Sequence, residues 1–441
     1  MANLIAFLDV NPQIEIIQYQ WLDFSGILRA RILTKKHCLS LATANEPLCT
    51  GAISMTSLVD NSILSGFTST GVHKIHPDWT SLTRTNFGRD GSSVDGRHAS
   101  VICSVYKYSS TEGRRSFDRC PHTILKGILD DLAAKRGMSF LVGFEIEFVL
   151  ARASLEDGSL QGVDSNPGHS AAAGLRTPRF HLIEEYVRGI VHAGIDVQHF
   201  HSEGHISQYE IATGPLSPIS AIDKLVLSHE IIRNVLARHG QRATFHPKPI
   251  IGGPANGAHF HISMQPSLQE DNFIAGILKF LPALCAFSLP SYDSYERVRP
   301  VEAGEWVGWG THNRDLPLRK VSSGHWEIRC VDATANMSLV LAAFLSAGLL
   351  GLEGSERLAW GDCSSWTSEL DSHQREQLNM TIPLPRQLKN ALAILEVDAA
   401  ELARKMGSEV LDAYMSVKLR EEQIAGNLGA QERKALYLAC F

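Results

Sequence analysis

The stretch Phe140-Leu141-Val142-Gly143-Phe144-Glu145-Ile146-Glu147-Phe148-Val149-Leu150 constrains this chain more than any other. It alternates with period two, so as a strand it puts Phe144, Ile146 and Phe148 on one face and Glu145 and Glu147 on the other. Glu is rarely buried without a partner, so two carboxylates in a core-like strand call for a cation, a set of donors or water. Taken alone, the pattern equally describes a half-solvated strand with its polar face outward. Three later stretches repeat it. In 195–203 the residues His199, His201 and Glu203 share a face, and beyond Gly204 the pair Gln208 and Glu210 flanks Tyr209. In 258–262 His259 and His261 lie opposite Phe260 and Ile262, and in 325–330 Glu327 and Arg329 lie opposite Trp326, Ile328 and Cys330. Several such strands imply a curved sheet whose concave face is charged, and such a face is a site.

Composition restricts the partners of that site. Lys and Arg number 41 against 47 Asp and Glu, a net charge of -6, which argues against nucleic acid or an anionic membrane as the main partner. The eight Cys stand at unpaired spacings, which fits the reduced thiols of a cytoplasmic protein. The opening MANLIAFLDVNPQIE lacks a basic start and is a poor signal peptide. The longest apolar run, 337–352, is shorter than a membrane span requires and reads as a buried helix.

With 441 residues the chain has room for two or three domains. Residues 13–35 read as two strands joined by a turn at 23–26, the start of a small β domain, and 100–105 reads as another strand. The polar segment 109–115 reads as a link between domains. Helices are expected after Pro121, over 181–193 and 221–239, and from Arg386 onward. The Gly, Ser and Pro content of 153–178 predicts a long mobile loop.

Four Glu and a His on strand faces suit Mg2+ or Mn2+, and no HExxH, paired CxxC or Walker loop points to zinc or to a P-loop. Arg297, Arg299, Arg314, Arg319 and Arg329 crowd the same region. Metal and guanidinium together are what phosphoryl transfer needs, whereas ordinary surface ion pairing would account for about two of the five.

These residues resemble the glutamine synthetase family over nearly the whole chain, in particular the synthetase-like portion of fungal fluffy-type proteins. The motifs that carry the likeness are the Glu145/Glu147 strand, EGHISQYE at 203–210, GAHFHIS at 257–263, NRDLPLR at 313–319 and HWEIR at 325–329. The resemblance implies an α+β fold, with a small N-terminal β-grasp-like domain over 1–112 and a catalytic domain over 113–441 whose curved antiparallel sheet is flanked by helices. It implies one metal on Glu147, Glu203 and Glu210 and a second on Glu145, His259 and Glu327. It also implies that Asn256, Gly257, Arg297 and Arg329 hold glutamate, that His261, Ser263, Arg314 and Arg319 hold ATP, and that Asp60 binds the incoming amine. The activity implied is an ATP-dependent, ADP-forming ligase working through an acyl phosphate, in a homo-oligomeric ring with sites shared between subunits.

Departures cluster at the amine site. In the loop Asp60-Asn61-Ser62-Ile63, Ile63 stands where the family has Ser, while the literal Asp90-Gly91-Ser92-Ser93 lies too late in the order to be its equivalent. Ala303 stands where a flap Glu is expected, which leaves Glu302 or Glu305 as its replacement. Gln198 replaces a nucleotide-contacting Glu. Glutamine synthesis, a γ-glutamyl ligase for an organic amine, and a catalytically silent regulator therefore all stay open. The last would have damaged metal ligands, and all six are present.

Overall fold

The protein is described here as a computed structural model covering residues 1–64, 72–85, 96–109, 114–116, 118–153, 160–163, 168–253, 255–438 and 440–441. The Asp90 to Ser93 stretch, and parts of the expected 109–115 link and 153–178 loop, lie outside the described residues. Among the described residues two sheets dominate. The smaller runs in the order Leu28–Thr34, Ile16–Leu22, His98–Ser109, Val72–Pro77, Leu48–Gly51. Thr83–Thr85 and Arg114–Ser116 add to its long central strand. The two strands expected in 13–35 are its first hairpin, in the register Ile16 to Thr34.

The larger sheet runs Val197–Ser202, Gln208–Thr213, Ser139–Ala153, Phe260–Gln265, His325–Ile328, Leu318–Ser322, Trp309–Thr311. It is antiparallel as expected except at its last pair, where Trp309–Thr311 runs parallel to Leu318–Ser322. The alternation seen in the sequence is obeyed. Phe144, Ile146 and Phe148 are buried, and Phe148 packs edge-on against Tyr186 and at a tilt against Tyr209 and Phe245.

Helices cover the apolar face. Those at Pro121–Arg136, Phe180–His192 and Pro218–Arg238 match the periodicity of the sequence. Glu270–Ser288 and Met337–Gly354 are the most apolar of the long helices because they are the core: 83% and 89% of their apolar windows are buried within the protein. Their backbones touch, since a Cβ on Gly276 would lie 2.2 Å from the Ala347 carbonyl oxygen. Leu388–Met406, Ser408–Gly426 and Ala430–Leu438 make the C-terminal region helical.

One element has no counterpart in the sequence reading and another differs from expectation. Residues 2–10 form a helix whose Leu4 and Leu8 are buried. Within 153–178, where a mobile loop was expected, Leu160–Gly162 pairs with the end of the long strand and Ala172–Arg176 forms a 3-10 turn. Both are held by partners distant in sequence, which local composition does not record. One hydrophobic core runs from Leu4 to Val417 through both sheets. The smaller sheet is further tied to the C-terminal helices through Glu421, which accepts from Ser25 Oγ, from the Val59 N–H and from Lys418 Nζ.

Candidate active site

Directly opposite residues of an antiparallel pair share a face, so the strand register writes the site as rows across the larger sheet. One row is His201, Glu210, Glu147. A second is Gly143, His261, Glu327, Arg319. Between them His259 lies beside Glu145, whose N–H donates to the His259 carbonyl at 2.9 Å.

The centre of the constellation is His259. Arg297 Nη2 lies 3.3 Å from His259 Nε2. A guanidinium only donates, so Nε2 accepts and the ring proton sits on Nδ1. Nδ1 then faces Glu145 Oε2 at 3.1 Å, Glu147 Oε1 at 3.5 Å and Glu327 Oε1 at 3.6 Å. Three carboxylates converge on one N–H, more negative charge than that proton offsets. Ligand atoms of Glu145, His259 and Glu327 all lie within 4.8 Å of one another. Carboxylate oxygens with a single imidazole suit a hard divalent cation such as Mg2+ or Mn2+.

The local charges tell the same story. Burial alone would raise Glu145, but its hydrogen bonds with His259 and His261 outweigh burial and hold it well below the usual carboxylate range. Burial pushes Glu210 up, and the carboxylates of Glu145, Glu147 and Glu203 push it further, to about 8, against the lowering effect of His201. That hydrogen bond to Glu210 raises His201 to about 9. Burial is the main cause of the rise at Glu210, and the crowding of four carboxylates adds to it.

The other expected ligands are differently engaged. Glu147 Oε2 accepts from the Gly257 N–H at 2.8 Å. Glu203 turns to His169 Nδ1 at 2.6 Å and Glu210 to His201 Nε2 at 3.3 Å. Among the described residues Glu147, Glu203 and Glu210 are not gathered into one group within 4.8 Å, whereas Glu203 with His169 and His201 is, as is Glu210 with His199 and His201. These three His were not singled out as ligands. His169 carries no sequence signal, since nothing in its loop shows that it reaches Glu203.

Arginine surrounds the second row. Buried Glu327 accepts from Arg329 Nη1 at 2.6 Å and makes an ion pair with Arg319. Arg329 also donates from Nε to the Arg314 carbonyl and from Nη2 to the Val301 carbonyl. It therefore ties the Arg314 loop and the 298–305 flap to Glu327. Arg314 and Arg299 are exposed. Arg297 is buried and donates from Nη1 to the Val331 carbonyl at 2.6 Å. His261 bridges Glu145 Oε1 at 3.1 Å and His325 Nε2 at 2.9 Å, and Ser263 is half-buried two residues along the same face.

Asn256 is fully buried. Its Nδ2 donates to the Thr244 and His246 carbonyls, and its Oδ1 accepts from Gln208 Nε2. It holds its loop, and thereby places the Gly257 N–H on Glu147. Glu302 and Glu305 are separated by their partners. Glu302 Oε1 lies 3.3 Å from Lys248 Nζ, next in sequence to the Val301 carbonyl held by Arg329, while Glu305 pairs with Arg386 at 2.7 Å. Ala303 is wholly buried. Asp60 stands at the smaller sheet, exposed, its Oδ1 accepting from the Ser62 N–H and Oγ. Neighbouring Ile63 is 53% exposed, and Gln198 is exposed.

Comparison with known proteins bears on this geometry. The family model for the catalytic domain of glutamine synthetase matches residues 118–434. Protein fluG of Emericella nidulans is 33% identical over 436 residues, which are 97% of this chain and 49% of that protein. The chain thus spans about half the length of that relative. Gamma-glutamylpolyamine synthetase GlnA3 of Streptomyces coelicolor is 30% identical over 326 residues, 68% of this chain and 69% of that one. A solved GmaS/ADP complex superposes with a TM-score of 0.80 at 24% identity, covering 99% of both chains, a likeness of fold.

Proposed function

The chain belongs to the glutamine synthetase family, and from that premise we propose that it is an ATP-dependent, ADP-forming ligase. It activates the γ-carboxylate of glutamate, or of a close analogue, as an acyl phosphate and joins it to ammonia or an amine. The observation that carries this reading is the convergence of Glu145, Glu147 and Glu327 on His259 with Arg319 and Arg329 against Glu327. Glu145, His259 and Glu327 would hold one Mg2+ or Mn2+, and Glu147 with Glu203 and Glu210 a second once Glu203 and Glu210 turn from their His partners. Bound there, the metals supply positive charge to the transferring phosphoryl group.

The remaining roles fall to the chain's own groups. Arg314 and Arg319 draw the ATP phosphates, with His261 and Ser263 lining the nucleotide side. Arg297 and the Gly257 loop orient the acid, while Arg329 keeps the flap closed over it and water out. Asp60, carried by the smaller sheet, attracts the cationic amine from a neighbouring subunit in a closed ring. Light scattering on active protein tests this arrangement, and a fully active monomer would dispose of it.

Two observations favour an organic amine over ammonia. Ile63 exposes apolar surface in the loop that carries Asp60, and Glu302, next in sequence to the Val301 carbonyl held by Arg329, is partly neutralised by Lys248. Ammonium needs a small anionic cage, whereas an alkyl amine gains about 0.8 kcal/mol per buried CH2. The naming of one relative as a γ-glutamylpolyamine synthetase supports the same reading. With saturating glutamate, a primary alkyl or aryl amine should release ADP at higher kcat/KM than ammonia, and Ile63→Ser should narrow the gap. Ammonia ahead of every amine by more than about tenfold, or 1.4 kcal/mol, would return the chain to plain glutamine synthesis. Absence of any glutamate-dependent ADP release would favour a catalytically silent regulator.

A further inference from the structure

At the outer edge of the larger sheet, Glu203 lies between two imidazoles, His169 Nδ1 at 2.6 Å and His201 Nδ1 at 3.7 Å. We propose that His169, His201 and Glu203 form an additional metal site, selective for a borderline transition-metal ion of the Zn2+ class over Mg2+. The donor set is the reason. Two imidazole nitrogens and one carboxylate oxygen suit Zn2+, while Mg2+ keeps to oxygen ligands and near-ideal octahedral geometry.

The three ligand atoms lie within 4.8 Å of one another. Ligands about 2.1 Å from a tetrahedral ion stand about 3.4 Å apart, so small side-chain rotations close the site. His201 Nε2 meets Glu210 Oε1 at 3.3 Å, the carboxylate contact that a ligating imidazole characteristically gives its other N–H, and Nδ1, which donates to the Ser202 carbonyl at 3.2 Å in this structure, exchanges that proton for the ion. The loop carrying His169 is pinned to the strand carrying His201: the Ser170 N–H donates to the Ser202 carbonyl at 2.9 Å and Ser202 Oγ to the Gly168 carbonyl at 3.1 Å. His169 packs edge-on against His201 with ring centroids 5.0 Å apart. The site stands on this geometry whether or not the ligase reading holds. Occupancy would keep Glu203 turned away from Glu147, so a Zn2+-class ion here opposes assembly of the neighbouring carboxylate set.

The test is Zn2+ binding to the full chain in excess Mg2+, read as retained metal after desalting and as a dissociation constant. Wild type and His259→Ala should each retain one Zn2+ per chain that excess Mg2+ does not displace. His169→Ala, a change at an exposed side chain, should weaken that Zn2+ by at least tenfold, and Co2+ in its place should lose the absorption of an imidazole-ligated ion. Unchanged Zn2+ affinity in His169→Ala overturns the proposal, as does loss of the ion on His259→Ala with retention in His169→Ala.

Discussion

Glu327→Ala should abolish tight binding of Mn2+ and ATP together and lower glutamate-dependent ADP release by at least about 100-fold, the upper end of what disturbing the surroundings of a metal ligand costs. Glu327 is wholly buried and is the shared counter-ion of Arg319 and Arg329, themselves 7% and 5% exposed. Removing it leaves two buried guanidinium groups facing each other without an anion, which costs about 3 to 5 kcal/mol when a buried pair is broken from one side. Stability should therefore fall with activity. Glu327→Gln separates the two effects, because it keeps volume and an acceptor while removing charge: more of the stability returns, the metal does not. Calorimetric titration with Mn2+ and ATP, alongside thermal unfolding, provides the measurement. An alanine variant that binds both as wild type does would remove Glu327 from the site.

The second large effect is expected at Gly257. A Cβ there would lie 2.5 Å from His259 Nε2 and 2.8 Å from Glu147 Oε1, closer than such atoms approach. Neither neighbour can yield freely, since Arg297 fixes His259 and the Gly257 N–H itself fixes Glu147. Gly257→Ala should thus displace one of them, weakening divalent-ion binding by about 10- to 100-fold while destabilising the fold by about 1 to 3 kcal/mol. Gly127→Ala is the control. It lies inside the Pro121–Arg136 helix with nothing within 4 Å of the added carbon, so it should stabilise by about 1 kcal/mol. Equal metal affinity in Gly257→Ala and wild type would show that the loop does not press on the ligands.

The nature of the site explains how much of it was legible in advance. The faces of Glu145, His259 and Glu327 were readable because alternation assigns a face without knowledge of the partner strand, whereas their grouping into one set came from the resemblance to the glutamine synthetases. The nearness of Arg319 and Arg329 to Glu327 followed from the same short stretch of chain. His169 was not readable, because its loop meets Glu203 across 34 residues. The choice between Glu302 and Glu305 was equally closed, since the two differ only in whether Lys248 or Arg386 comes within reach. Asn256 was expected to cradle the substrate, yet its side chain is engaged with Thr244, His246 and Gln208, contacts that exist only once three separate segments have folded together.

The sequence by itself determined the faces: which residues of each strand enter the core and which enter the cleft, because the two-residue period of a strand is a property of the backbone. It also determined one long core helix, since the apolar run at 337–352 leaves almost no polar side to face solvent. Only the tertiary structure decided the pairing of charges. It set Glu203 and Glu210 on His169 and His201 rather than on Glu147, and Asp60 on the far sheet beside the Val59 N–H held by Glu421. A carboxylate selects among partners by distances of a few ångströms, and those are fixed by how separate elements pack rather than by the order of residues along any one of them.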